Sequence, residues 1–284
     1  MMRMKLRKSI ENALTSAARI LPPEVEERIR KAEKCESGEY GKTVLTHIVK
    51  NIDISRESGI PLCQDTGMFF VLVSIGRKAR VNLPLLEDEI NAGARAAAKN
   101  SLYRKSVVRD PLYDRTNTGN NLPCVIYYEM CDGENITISF LLKGFGSENC
   151  SGVRMLNPTA GEDEVVEAVT DIMRSAGGKP CPPVFLGIGL GGTMDKAAFL
   201  SKKALLRSGE NPDKRYRALE ERIRESINTL PIGPGGLGGD NTCLGVAIET
   251  YPTHIAGLPL AVTVNCHAER RATVVVLGGY DGEA

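Results

Sequence analysis

The chain has 284 residues, 42% of them hydrophobic, and its 36 Lys and Arg nearly cancel its 35 Asp and Glu. A chain of this length can bury roughly 75% of its unfolded surface, so its core needs neither disulfides nor a structural metal. The net charge of +1 leaves no basic field for nucleic acid or an anionic membrane and points to a small-molecule or protein ligand.

No apolar run reaches the ~20 residues that span a bilayer. The first residues are basic, but their apolar positions are spaced as an amphipathic helix and not as a secretory signal. The expected location is therefore cytoplasmic, where the eight cysteines stay reduced.

Ile10, Leu14, Ala17 and Leu21 share one helical face. Pro22 and Pro23 open a second helix with Val25 and Ile29, and Val44, Ile48 and Ile52 mark a third. These lead into GIPLCQDTG, where Cys63, Gln64 and Asp65 stand between the stiffening Pro61 and the turn-forming Gly67. Residues 68–75 then form an apolar strand bounded by glycines. A soft metal ligand, an amide and a carboxylate in consecutive positions beside a strand have the composition of a site, although a buried Cys and an Asp-Thr-Gly turn are also ordinary.

Leu86, Ile90, Ala94 and Ala97 predict a helix over 85–99. The turn-rich loop after it carries Arg104, Arg109 and Arg115, one of which could hold a carboxylate through both oxygens. Residues 123–131 and 136–143, joined by Asp-Gly-Glu-Asn, predict a hairpin that delivers KGFGSENCSG. The glycines of that segment could bring backbone N–H groups against an anion, and turn formation alone accounts for them as well. A helix over 163–176 stops at Gly177.

GIGLGG at 187–192 has the GxGxxG spacing, follows a strand at 184–186 and precedes a helix at 194–207, as a dinucleotide site requires. The chain then enters a charged loop and a further helix, where that site needs a second strand ending in an acidic residue. The motif is read as a decoy, and a nucleotide-dependent oxidoreductase built on Gly187 to Gly192 is kept as the hypothesis from another class. Six glycines between Gly233 and Gly245 predict a loop whose backbone is pressed against something. Strands at 244–249 and 258–265 follow, with His254 between them and Cys266 at the end of the second.

The fold class is therefore α/β: a helical N-terminal segment followed by mixed α/β subdomains with hairpins and glycine-rich loops. The expected organisation is one catalytic domain over 1–284, with two subdomains dividing near residue 150.

Cys63, Cys181 and Cys266 each stand at a junction of strand and loop. Three converging thiolates suit an iron–sulfur cluster with one iron left open to act as a Lewis acid. Cys243 or Cys150 could add a fourth thiolate, which would make an electron-transfer centre instead. Cys35, Cys124 and Cys131 receive no role.

The motifs PLCQDTG (61–67), NTGNNLP (117–123), KGFGSEN (143–149), CPPVFLGIGLGGT (181–193) and the run from GGLGGDNTC to CHAERR (235–271) resemble, in order and over essentially the whole chain, the α part of the class I iron–sulfur-dependent fumarate hydratases and the similar tartrate dehydratases. The resemblance implies a [4Fe–4S] cluster on Cys63, Cys181 and Cys266. It implies that Gln64, Arg104 and Gly146 contact a dicarboxylate, with Arg109 as the substitute for Arg104, and that Asp65 and His254 handle the water that leaves or attacks. The implied reaction is reversible dehydration of (S)-malate to fumarate, or of L-tartrate to oxaloacetate. Single-chain members of the family carry a further β domain. The resemblance thus implies a separate β subunit, in an α2β2 or similar assembly, that supplies the C3 base and further carboxylate contacts.

Overall fold

The structure, a computed structural model, describes residues 2–281, with side chains from Lys5 onward. Three helices come first, α1 (Met2–Ala17), α2 (Pro23–Cys35) and α3 (Glu39–Ser58), then strands β1 (Met68–Gly76) and β2 (Arg80–Val81) and helix α4 (Leu83–Asn100). Strands β3 (Val125–Cys131) and β4 (Ile136–Lys143), the short helix α5 (Phe145–Glu148), strand β5 (Gly152–Leu156) and helix α6 (Glu162–Ala176) make up the middle. Strand β6 (Val184–Gly191) and helices α7 (Met194–Ala204) and α8 (Lys214–Asn228) precede the strands β7 (Cys243–Tyr251), β8 (Leu258–Asn265), β9 (Arg271–Val276) and β10 (Gly279–Tyr280). Helices and mixed sheets make this an α/β chain, as the sequence predicted. Among the described residues, no helix is long and apolar enough to cross a membrane.

The described residues form two compact units, one from 2–22, 51–144 and 270–281, the other from 23–50 and 145–269. In the first, a sheet of order β3-β1-β4-β9 is covered on one face by α1 and α4. Phe69, Val71, Val73 and Ile75 of β1 and Ile136, Ile138 and Phe140 of β4 meet Ile10 and Leu14 of α1 and Leu86, Ile90 and Ala94 of α4. The alternation of strands and the 3.6-residue repeat of helices put these side chains on facing surfaces. Helix α4 begins two residues before its predicted start, because the Asn82 side chain accepts the Leu85 N–H (3.3 Å) and Pro84 in the first turn needs no partner for its nitrogen.

The predicted hairpin does not form. β3 and β4 flank β1, parallel from Phe70↔Val125 to Gly76↔Cys131 on one side and antiparallel from Met68↔Lys143 to Ile75↔Ile136 on the other. The Asp-Gly-Glu-Asn loop instead crosses the end of β1, where the Gly76 and Lys78 N–H groups donate to the carbonyls of Asn135 (2.9 Å) and Gly133 (3.0 Å). β1 buries consecutive residues on both faces, Phe69 to Val73, and so takes the interior, leaving the partly exposed β3 at the edge.

In the second unit the order is β5-β8-β6-β7, with β6 parallel to β7 and antiparallel to β8. Leu186 and Ile188 of β6 and Val262 and Val264 of β8 share a core with Val169, Ile172 and Met173 of α6 and Ile223 and Ile227 of α8. The other face of β6 carries α7.

Candidate functional site

In the first unit the approach to β1 is tied down from behind. Asn51 Nδ2 donates to the Leu62 carbonyl (2.8 Å) and the Leu62 N–H to the Ala18 carbonyl (2.9 Å). Leu62 and Thr66 are buried, which leaves Cys63 and Asp65 half-buried and Gln64 exposed. Thr66 Oγ1 and Asn121 Nδ2 both donate to the Arg104 carbonyl, at 3.2 and 2.8 Å, so the backbone of Arg104 is held beside this loop while its guanidinium stays exposed. Arg109 belongs to the turn closed by the Val108↔Asn117 bridge, its N–H donating to Thr116.

Asp65 Oδ1 accepts the N–H of Gly67 (3.1 Å). A Cβ on Gly67, whose φ is +78°, would fall 2.3 Å from the Lys143 carbonyl, so only glycine lets the loop enter β1 against the end of β4. Arg270, which the sequence reading missed, is 1% exposed. Its Nη2 donates to the carbonyls of Asp65 (2.8 Å) and Leu142 (3.4 Å), while its Nε and Nη1 are buried without hydrogen-bond partners. In sequence it is one of two adjacent arginines at a strand start, and nothing local marks it as the buried one.

In the second unit β6 begins and β8 ends at the same edge of the sheet, with Phe185 opposite Asn265. Cys181 and Cys266 lie just beyond those strand ends, and His267 Nδ1 is 3.2 Å from the Cys181 carbonyl, which makes that nitrogen the donor. Cys181 is exposed and has φ +57°, a left-handed value that persists in a non-glycine residue only where its surroundings impose it. Cys266 is half-buried. Asn265, 1% exposed, has neither oxygen nor nitrogen of its carboxamide hydrogen-bonded.

Cys243 starts β7 at this edge but is fully buried, its thiol donating to the Gly245 carbonyl (3.4 Å). Burial pushes its thiol up to about 12, and that of Cys124 likewise, so both stay protonated near neutral pH. The Cys150 sulfur lies 3.6 Å from the Gly146 carbonyl. Cys63 belongs to the first unit and Cys181 and Cys266 to the second, and among the described residues no three His, Cys, Asp or Glu side chains are gathered as a metal-binding group.

The glycine motifs separate by what surrounds them. A Cβ on Gly187 or Gly189 would lie 2.0 Å from the carbonyl of Ser201 or Ala197, so these glycines let α7 lie directly on β6. β6 continues through them to Gly191, whereas a dinucleotide fingerprint needs its glycines in the turn after the strand. The oxidoreductase hypothesis therefore loses the feature it rested on. The loop at 233–241 presses against itself and against Glu36: a Cβ on Gly233 would lie 2.0 Å from the Gly238 carbonyl, and one on Gly239 2.5 Å from Glu36 Oε1. The buried Glu36 carboxylate accepts the backbone N–H groups of Gly38 (2.9 Å), Asp240 (2.8 Å) and Asn241 (3.1 Å) and the Asn241 amide (2.8 Å). The same loop reaches the Cys181 turn, the Gly235 N–H donating to the Pro182 carbonyl (2.8 Å). Gly146 differs from these. A Cβ there would meet nothing within 4 Å, and its φ is not in the left-handed region, so no packing contact requires glycine.

His254 is exposed on the loop between β7 and β8. Its Nδ1 accepts the Ala256 N–H (3.1 Å), so a neutral ring carries its proton on Nε2.

The fold and motifs define a class once they are compared with known proteins: the model of the fumarate hydratase (Fumerase) family matches residues 7–275, and enzymes of that class are hydro-lyases. The chain belongs to the fumarate hydratase family. It is similar to the putative L(+)-tartrate dehydratase subunit alpha of Methanocaldococcus jannaschii, 40% identical over 275 residues that cover 95% of this chain and 96% of the relative. It is also similar to the L(+)-tartrate dehydratase subunit alpha of Escherichia coli O157:H7, 30% identical over 282 residues that cover 96% and 91%.

Proposed function

We propose that this chain is the α subunit of an iron–sulfur hydro-lyase that reversibly removes water from a four-carbon 2-hydroxydicarboxylate, (S)-malate giving fumarate in the first reading. The observation that carries the proposal is the loop at 61–67, in which a thiol, an amide and a carboxylate stand in consecutive partly open positions with the Arg104 backbone tied alongside. The names of the relatives support a second substrate, L(+)-tartrate, and their description as alpha subunits supports a separate β subunit. That subunit would supply the base for the C3 proton.

The donor set suits a [4Fe–4S] cluster. Cys181 is exposed, Cys63 and Cys266 are half-buried, Cys124 and Cys243 are buried, and Asn265 keeps an unbonded carboxamide next to Cys266. Bound by those three cysteines, the cluster would supply a Lewis-acidic iron for the substrate hydroxyl. Arg104 offers a planar fork to one carboxylate, with Gln64 and the Gly146 N–H as further donors. His254, whose Nδ1 accepts the Ala256 N–H, presents Nε2 to the departing oxygen. Asp65, braced by the Gly67 N–H, takes up and returns the proton of the water.

The test is anaerobic co-expression with the β subunit, iron and sulfide, followed by parallel assays on malate, fumarate and tartrate. Activity should require the β subunit, and the complex should carry about four iron per α chain. Cys63→Ser, Cys181→Ser and Cys266→Ser should each lose the iron, while Cys243→Ser keeps it. Full iron in Cys181→Ser overturns the ligand set, and a kcat/KM at least about tenfold higher for tartrate moves the substrate to the second reading.

A further inference from the structure

We infer that Arg270 is the positioning residue for Asp65. This deepens the proposed function and rests on its assignment of Asp65 to the proton of the water.

Arg270 is the last residue before β9. Its carbonyl accepts the Leu142 N–H (3.0 Å), and its Nη2 returns a bond to the Leu142 carbonyl, so backbone and side chain both lock it to the end of β4. Leu142 pairs on its other side with Phe69 of β1. The guanidinium thus reaches across β4 to the Asp65 carbonyl, just ahead of β1, and joins the ends of three strands. Gly144 keeps the two groups close: a Cβ there would lie 3.1 Å from Asp65 Oδ2 and 3.7 Å from Arg270 Nη2. Asp65 is then held at its carbonyl by Arg270 and at its Oδ1 by the Gly67 N–H, while its Oδ2 occupies space left clear because residue 144 lacks a side chain.

Stability alone does not account for the arginine. Burying a guanidinium costs desolvation, and its Nε and Nη1, buried without hydrogen-bond partners, add to that cost. A neutral donor could hold one carbonyl without either cost. What only the guanidinium offers is length and a rigid plane, which fix one nitrogen between two carbonyls and so set where the Asp65 side chain starts. A displacement of about 1 Å at a reacting group can cost on the order of 10²-fold in rate, so such bracing is worth its desolvation.

The experiment is a double-mutant cycle on the reconstituted, iron-loaded enzyme with its β subunit. Arg270→Lys should lower kcat by about 10- to 100-fold and leave KM within about threefold, with iron content and thermal midpoint near those of the parent. In the Asp65→Asn background the same change should cost less than about twofold, because the residue acts through Asp65. Gly144→Ala, which pushes on the same contact where the backbone tolerates a side chain, should give the same kcat-selective and non-additive pattern, and it carries the cycle should Arg270→Lys not fold. Equal losses in both backgrounds, or unchanged kcat in Arg270→Lys and Gly144→Ala, overturn the inference. A full kcat in Asp65→Asn alone overturns the assignment of Asp65 instead.

Discussion

Replacing Glu36 by Ala tests whether the glycine-rich loop is held from within the chain. The carboxylate accepts four N–H groups, three from backbone and one from the Asn241 side chain, so its removal leaves four donors to find other partners. A hydrogen bond to a charged group is worth about 1.5–3 kcal/mol net, and some donors will reach water because Ser37 and Asp240 are exposed. A total loss of about 3–5 kcal/mol follows, or a fall of roughly 10 °C in Tm for a chain of this size. Glu36→Gln keeps one acceptor oxygen and should lose about half as much. Denaturant titration followed by circular dichroism measures both. Because the Gly235 N–H holds the Pro182 carbonyl, loosening the loop should also loosen the Cys181 turn and lower iron retention in the reconstituted complex. A loss below about 1 kcal/mol in Glu36→Ala, or a larger loss in Glu36→Gln, refutes the reasoning.

His254→Gln should keep more turnover than His254→Asn, since a Gln amide nitrogen falls near Nε2 and an Asn one near Nδ1. Stopped assays should show about a 10²-fold loss for Asn and a smaller one for Gln, and the reverse order would place the useful proton on the other nitrogen. Iodoacetamide labelling near pH 8, read by mass spectrometry, should modify exposed Cys35 and leave Cys124 and Cys243 intact; equally fast labelling of Cys243 would contradict its burial. Because burial raises both thiols, their protonated forms favour the fold below the ordinary thiol value of 9.0, and that contribution is lost as pH climbs from 9.0 towards about 12. Cys243→Ala should therefore flatten the alkaline limb of the stability profile, and an unchanged limb would argue against the raised value.

Sequence alone set the positions of most elements. Residues 68–75, 163–176 and 258–265 carry their periodicity and their stops locally, and the observed strand and helix limits lie within a residue of those readings. It also determined the family, because several long motifs in one order need no structure to be recognised. Tertiary structure alone decided which strands are neighbours. The residues at 123–131 and 136–143 have hairpin chemistry, but β1, apolar on both faces, gains more by lying between them than an open hairpin would by closing. It decided what each glycine is for as well, since a GxGxxG in a strand under α7 and a GGLGG folded on Glu36 differ from ligand loops only in what lies across from them. And it decided which charged and polar groups are buried. Glu36, Asn265 and Arg270 look like surface residues in a one-dimensional reading, because burial is set by segments distant in the chain that the local pattern does not contain.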